Sequence, residues 1–216
     1  MAGSRAVVRG GVGPVAYRGA VTDLVTGADG LPRCAWGAST PDYAAYHDGE
    51  WGRPVRDDDG LYERLCLEAF QSGLSWLTIL RKREAFRRAF AGFRIEAVAG
   101  FGDADVQRLL GDAGIVRNRA KIEAAIANAR AALDLPAGLT ELLWGFAPAA
   151  RSTRPARFAE VPAITPESTA MSRALKRSGF RFVGPTTAYA LMQATGMVDD
   201  HLVGCHVSAA VRAVPA

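Results

Sequence analysis

The stretch "DDDGLYERLCLEAFQSGLSWLTILRKREAFRRAF", residues 57–90, decides the fold. Leu61, Leu65 and Glu68 recur at i, i+4 and i+7, which is one face of a helix. A break follows at "QSGLSW", residues 71–76, and a second helix starts near Ser75. It turns Trp76, Ile79 and Leu80 to a core and its arginines and lysines to water. Two helices joined by a Gly-containing break carry no strand alternation, and the rest of the chain reads the same way.

Upstream, "STPDYAAYHD" is a helix start, with Thr40 as cap, Pro41 in the first turn and Asp42 complementing the dipole. Downstream, residues 103–133 predict two helices around a tight "DAGIV" turn. Asp103 caps the first, and Gly114 sits at the turn. Residues 134–167 predict loop with one short helix near 139–146. "STAMSRALKRSGF" and "PTTAYALMQATGM" predict two more helices, the first ending at Gly179 and the second starting after Gly184. The expected class is all-α. Residues 1–31 are rich in Gly, Ala and Val without helical periodicity and predict a flexible extension. The folded domain is expected over 32–208, with a flexible tail over 209–216.

Composition bounds the function. The 216 residues suit one domain with a real core. A formal charge of +4 permits nucleic acid as a partner without establishing it. No apolar run reaches the ~18 residues of a membrane span. Three cysteines, Cys34, Cys66 and Cys205, make no disulfide framework and point to a reducing compartment. Cys66, between Leu65 and Leu67, reads as core.

Two short cassettes carry metal-binding residue types. Cys34 lies twelve residues before His47, and His201 and Cys205 stand at i, i+4. Two thiolates and two imidazoles suit tetrahedral Zn²⁺, as a structural clasp with no open position for water. His206 is an alternative to His201, and unrelated core residues are the plain alternative to any metal.

A second constellation is aromatic. Tyr43, Tyr46 and His47 share a helical face, and Trp36, Trp51 and Trp76 flank the same segments. Glu68 lies along an apolar stripe, where a carboxylate either pairs, with Arg64 one turn back, or serves a function. Flat walls with one buried acceptor suit a nucleobase taken out of its stack. "LLGDAGIVRNRAKI", residues 109–122, has the layout of a helix–hairpin–helix. Its turn at Gly114 and the cations Arg117, Arg119 and Lys121 could hold a phosphate; a solvated basic face is the plainer reading. Leu74, beside Gly73 on the short break, could wedge into a base stack.

The blocks "RCAWG", "YAAYHDGEWGRPVRDDDGLYERLCLEAFQSGLSWLTILRKRE", "DAGIVRNRAKIEAAIANARA" and "LKRSGFRFVGPTTAYALMQATGMVDDH" resemble the DNA-3-methyladenine glycosylase I family, within the helix–hairpin–helix glycosylase superfamily. The resemblance covers residues 33 to about 205. It implies an all-α fold and a structural zinc on Cys34, His47, His201 and Cys205. It places Glu68, Tyr46 and Trp76 in the base pocket, with Trp36, Tyr43 and Trp51 nearby, and Leu74 with Gly73 at the duplex. The expected activity is hydrolysis of the N-glycosidic bond of 3-methyladenine in double-stranded alkylated DNA, without strand cleavage, by a cytoplasmic bacterial monomer. A zinc-clasped binding module without catalysis is the competing class. The chain departs from the family pattern in its ends, in the segment near 147–160, and at His206, where another cysteine is expected.

Overall fold

The computed structural model describes residues 23–207. Among the described residues, a short antiparallel hairpin, β1 (Leu24–Thr26) and β2 (Pro32–Cys34), precedes nine α-helices. These are α1 (Pro41–Gly49), α2 (Asp58–Gln71), α3 (Trp76–Ala89), α4 (Ile95–Ala99), α5 (Asp103–Gly111), α6 (Arg119–Leu133), α7 (Gly138–Trp144), α8 (Pro166–Arg177) and α9 (Pro185–Ala194). The all-α expectation holds. The hairpin was not anticipated: β1 lies inside the stretch assigned to a flexible extension, and its pairing of Leu24 with Cys34 ties that stretch to the domain. Residues 1–22 and the expected tail over 209–216 lie outside the described residues.

The opening stretch builds the centre. Helix α2 buries Leu61, Tyr62, Leu65, Cys66, Leu67 and Phe70, and packs on α3, α6, α7 and α9. Each large apolar side chain so buried contributes roughly 1.5–3 kcal/mol. Phe70, Phe86, Phe90 and Phe93 form a continuous aromatic stack, with the Phe90 and Phe93 rings parallel at 5.4 Å. The Tyr62 hydroxyl donates to the Ala125 carbonyl of α6 at 2.8 Å. A buried hydroxyl without that partner would be costly.

The three aspartates of "DDDG" each serve a different helix. Asp57 caps α2 by accepting from the Gly60 amide at 2.7 Å. Asp58 accepts from the Leu139 and Thr140 amides at 3.0 and 2.8 Å, so it caps α7, whose own N-cap is Ala137. Asp59 accepts from the Ile95 amide at 2.8 Å and starts α4, a five-residue helix absent from the expectation. Three local differences are smaller. Helix α8 begins at Pro166 behind a Thr165 cap, earlier than expected. Asp103 is the first helical residue of α5 rather than its cap, and Asp105 accepts from the Gly102 amide instead. Gly114 has no left-handed backbone; a Cβ there would lie 2.9 Å from the Ala85 Cβ, so close approach to α3 is what requires glycine.

Candidate active site and metal centre

A cavity of about 330 Å³ opens between α1, α2, the start of α3, α9 and the segment before α8. Trp36, Tyr43, Tyr46, Trp51 and Trp76 all line it, as the sequence suggested, and Glu68 lies among them. Tyr46 and Trp76 stand 5.4 Å apart at 49°, and Trp36 and Trp51 meet edge-on at 5.0 Å. The Tyr43 hydroxyl accepts from the Leu77 amide at 3.1 Å, which pins α1 to the first turn of α3.

Glu68 is only 7% exposed and has no hydrogen-bond or ion-pair partner among the described residues. The Arg64 alternative fails: Arg64 turns to Glu50 at 2.8 Å and to Glu63. Burial alone pushes the Glu68 carboxyl up to about 8. A carboxyl raised by burial and lying in a cavity is a candidate functional group. Glu50, which the sequence left without a role, accepts from Arg83 at 2.5 Å as well as from Arg64. Arg83, itself buried, bridges to Glu63 at 2.7 Å. This charged network joins the end of α1 to α2 and α3 behind the aromatic wall.

The metal cassettes converge. Cys34, His47, His201 and Cys205 are all buried, and their donor atoms lie within 4.8 Å of one another. His47 Nε2 is 3.2 Å from His201 Nδ1; Cys205 Sγ is 3.5 Å from the first and 3.7 Å from the second. The outer partners set the tautomers. His47 Nδ1 donates to Asp48 at 2.7 Å, and His201 Nε2 donates to the Trp51 carbonyl at 3.2 Å. Both acceptors lack a proton, so each ring turns a bare nitrogen to the cluster. The Leu202 amide donates to Cys34 Sγ at 3.4 Å. The group could therefore hold a metal ion. His206 stands outside it and donates to Asp48 at 3.0 Å.

The proposed DNA-facing residues divide. Leu74 is 42% exposed, and Gly73 beside it takes φ +80°, a conformation side chains disfavour. Arg117 and Arg119 are exposed, the latter paired with Glu123 at 3.2 Å. Lys121 does not reach outward. It is buried, and its ammonium donates to the Phe70 and Ser72 carbonyls, at 2.9 Å to the former. Those carbonyls end α2, where a cation complements the dipole, so Lys121 fixes the loop that carries Leu74. The N-terminus of α6 is partly satisfied by Asn118, which accepts from the Lys121 amide at 3.1 Å.

Sequence reasoning missed Gln71, Phe158, Val161, Ala190, Gln193 and Asp200, which complete the lining. Asp200 is signalled only by being an acid beside His201, and Gln193 by nothing in its helix.

The methyladenine glycosylase family model matches residues 36–208. This chain belongs to the methyladenine glycosylase family. It is 46% identical to DNA-3-methyladenine glycosylase 1 of Escherichia coli K12 over 179 residues, covering 81% of this chain and 96% of that protein. It is 41% identical to DNA-3-methyladenine glycosylase of Haemophilus influenzae, covering 80% and 96%. Among solved structures, a crystal structure of 3-methyladenine DNA glycosylase I superposes with TM-score 0.77 at 44% identity, over 81% of this chain and 98% of that one. The Staphylococcus aureus 3-methyladenine DNA glycosylase I, solved to explain its recognition of 3-methyladenine, gives TM-score 0.77 at 35% identity, covering 81% and 95%. The match thus covers the cavity and His47, His201 and Cys205 of the cluster, and leaves Cys34 and both strands outside the matched residues.

Proposed function

We propose that this protein is a base-excision repair glycosylase that hydrolyses the N-glycosidic bond of 3-methyladenine in double-stranded alkylated DNA. The observation that carries the reading is the buried Glu68 carboxyl, unpartnered among the described residues, in an aromatic cavity of about 330 Å³. A flipped base enters and lies against Tyr46 and Trp76, with Trp36, Tyr43 and Trp51 closing the wall. Alkylation leaves the base cationic, so the rings attract it. The incoming charge also favours ionised Glu68, which then accepts from the exocyclic amine. Neutral adenine brings no charge to draw off that proton, and selectivity follows. The glycosidic bond of the cationic base is already weak. Its electrons pass to the departing ring, which leaves neutral, and water adds to the sugar carbon and gives up a proton to solvent. The protein's task is selection and orientation rather than strong acid catalysis.

Related proteins support the roles of two residues. A tyrosine-to-phenylalanine variant of a 3-methyladenine DNA glycosylase I was solved in complex with 3-methyladenine, and a glutamate-to-glutamine variant was solved of the S. aureus protein. The two substituted positions are numbered 22 apart, the separation of Tyr46 and Glu68 here.

Leu74, held out by Gly73 and by Lys121 beneath, is the wedge that fills the space the base leaves. The turn at Gly114 with Arg117 and Arg119 lies along the phosphate backbone. Among the described residues no lysine lines the cavity, which supports base release without a Schiff base or strand cleavage. The metal is Zn²⁺, and its role is structural. Zn–N bonds near 2.0–2.1 Å and Zn–S bonds near 2.3 Å give tetrahedral edges of about 3.3 Å between nitrogens and about 3.6 Å between nitrogen and sulfur. The distances of 3.2, 3.5 and 3.7 Å fit those edges. The enzyme is read as a monomer of the bacterial cytoplasm; no helix among the described residues is long and apolar enough to cross a membrane. Incubation with methylated duplex DNA, followed by chromatography of released bases, tests the reading. Free 3-methyladenine with intact abasic strands is the expected result. Binding without base release would leave a non-catalytic module.

A further inference from the structure

The cavity contains a second polar group whose orientation is fixed. Asp200 has a fully buried side chain and accepts three hydrogen bonds: from the Tyr189 hydroxyl at 2.7 Å, from Gln193 Nε2 at 2.9 Å and from Arg151 at 2.7 Å. A carboxylate facing an arginine and two further donors is an acceptor only. Gln193 must therefore turn its NH₂ to Asp200. Its Oε1 is left over, without a partner among the described residues, on a side chain that lines the cavity. Gln193 thus offers the cavity an acceptor that no rotation can turn into a donor while Asp200 holds the other end.

Glu68 has no such restriction. Its carboxyl can hold a proton and donate it, or lose the proton and accept. Glu68 alone therefore tolerates either an amine or a carbonyl oxygen on a bound purine.

We propose that Gln193, locked by Asp200, is the residue that selects the substituent at purine C6, accepting an exocyclic amine and refusing a carbonyl oxygen. The inference rests on the base-excision reading and deepens it. A 6-amino purine donates to Oε1; a 6-oxo purine sets two lone-pair oxygens against each other. The lost bond leaves a polar group unpaired inside the cavity, which corresponds to about tenfold or more in affinity.

The test uses two free bases, 3-methyladenine and 3-methylhypoxanthine, which carry an amine and a carbonyl oxygen at C6. Quenching of tryptophan fluorescence in the full-length protein reports their binding, since Trp36, Trp51 and Trp76 line the cavity. The wild type should prefer 3-methyladenine at least tenfold. In Gln193→Leu the preference should shrink about tenfold, mostly through weaker 3-methyladenine binding. Asp200→Asn keeps the shape but frees the amide to rotate, and should shrink the preference with Gln193 intact. Loss of affinity for both bases by the same factor in Gln193→Leu marks a packing role and overturns the inference, as does an unchanged preference. Wild-type protein that binds neither base and releases no 3-methyladenine from methylated duplex DNA overturns the base-excision reading as well. Wild-type binding of 3-methyladenine with an unaltered ratio in Gln193→Leu overturns this inference alone.

Discussion

His47 Nε2 lies 3.2 Å from His201 Nδ1 across 154 residues of chain. The two rings close the folded domain on itself, and His47 follows Tyr46 directly on α1. The clasp and the aromatic wall are therefore one piece of structure. Purified protein is expected to carry one zinc per chain by elemental analysis. His201→Ala and Cys34→Ser should lose the metal and lower Tm by at least about 10 °C, since bound metal stabilises only the folded state. Base excision that survives zinc removal from still-folded protein separates a structural metal from a hydrolytic one.

Gly37 offers a subtler probe of the same site. A Cβ at Gly37 would lie 2.6 Å from the His47 ring, so the ring must move. Gly37→Ala keeps all four donor residues and should still weaken zinc binding by at least tenfold, read by competition with a chelating dye. Unchanged affinity would mean that the ring shifts without cost.

Glu68 links pH to stability. Its folded-state value is raised from the ordinary 4.5 to about 8 by burial. Below about pH 4.5 the group is neutral whether folded or unfolded and costs nothing. As pH rises toward 8 the unfolded chain ionises while the folded one cannot readily follow, so stability falls. The loss is complete above pH 8, on the order of a few kcal/mol at about 1.4 kcal/mol per pH unit. Thermal unfolding should show Glu68→Gln gaining on wild type between pH 5 and pH 8.5. A difference independent of pH would place the ionised form in the folded protein.

We propose that Leu74, on the loop that Lys121 holds, acts at the duplex rather than on the base. Leu74→Ala is expected to lower excision from duplex DNA about tenfold and from single strands much less, because only a duplex needs its stack filled. Lys121→Met removes the bonds to the Phe70 and Ser72 carbonyls and should reproduce the same pattern while leaving free-base binding intact. Equal losses on both DNA forms would point to a damaged cavity.

Most of this was legible because helical periodicity is strong in α2 and α3 and because Cys34, His47, His201 and Cys205 are residue types with few other uses together. The misreadings have physical causes. Strands of three residues, as in β1 and β2, carry too little alternation to register. Helix α4 is started by Asp59 from a distant segment, so its own sequence lacks a cap. A lysine in a basic turn looks solvated, yet Lys121 is drawn inward by two carbonyls at the end of α2, a relation only the fold creates. Glu50, Gln193 and Asp200 acquired roles through partners between 7 and 49 residues away, beyond the reach of local pattern.

We propose that the Glu68 carboxyl in the aromatic cavity selects and orients 3-methyladenine for excision. Single-turnover release of 3-methyladenine from methylated duplex DNA, compared between wild type and Glu68→Gln with the fold checked by circular dichroism, tests it most directly. A loss of at least about a hundredfold is expected in the variant, with zinc content unchanged. Release at the wild-type rate by folded Glu68→Gln would contradict it.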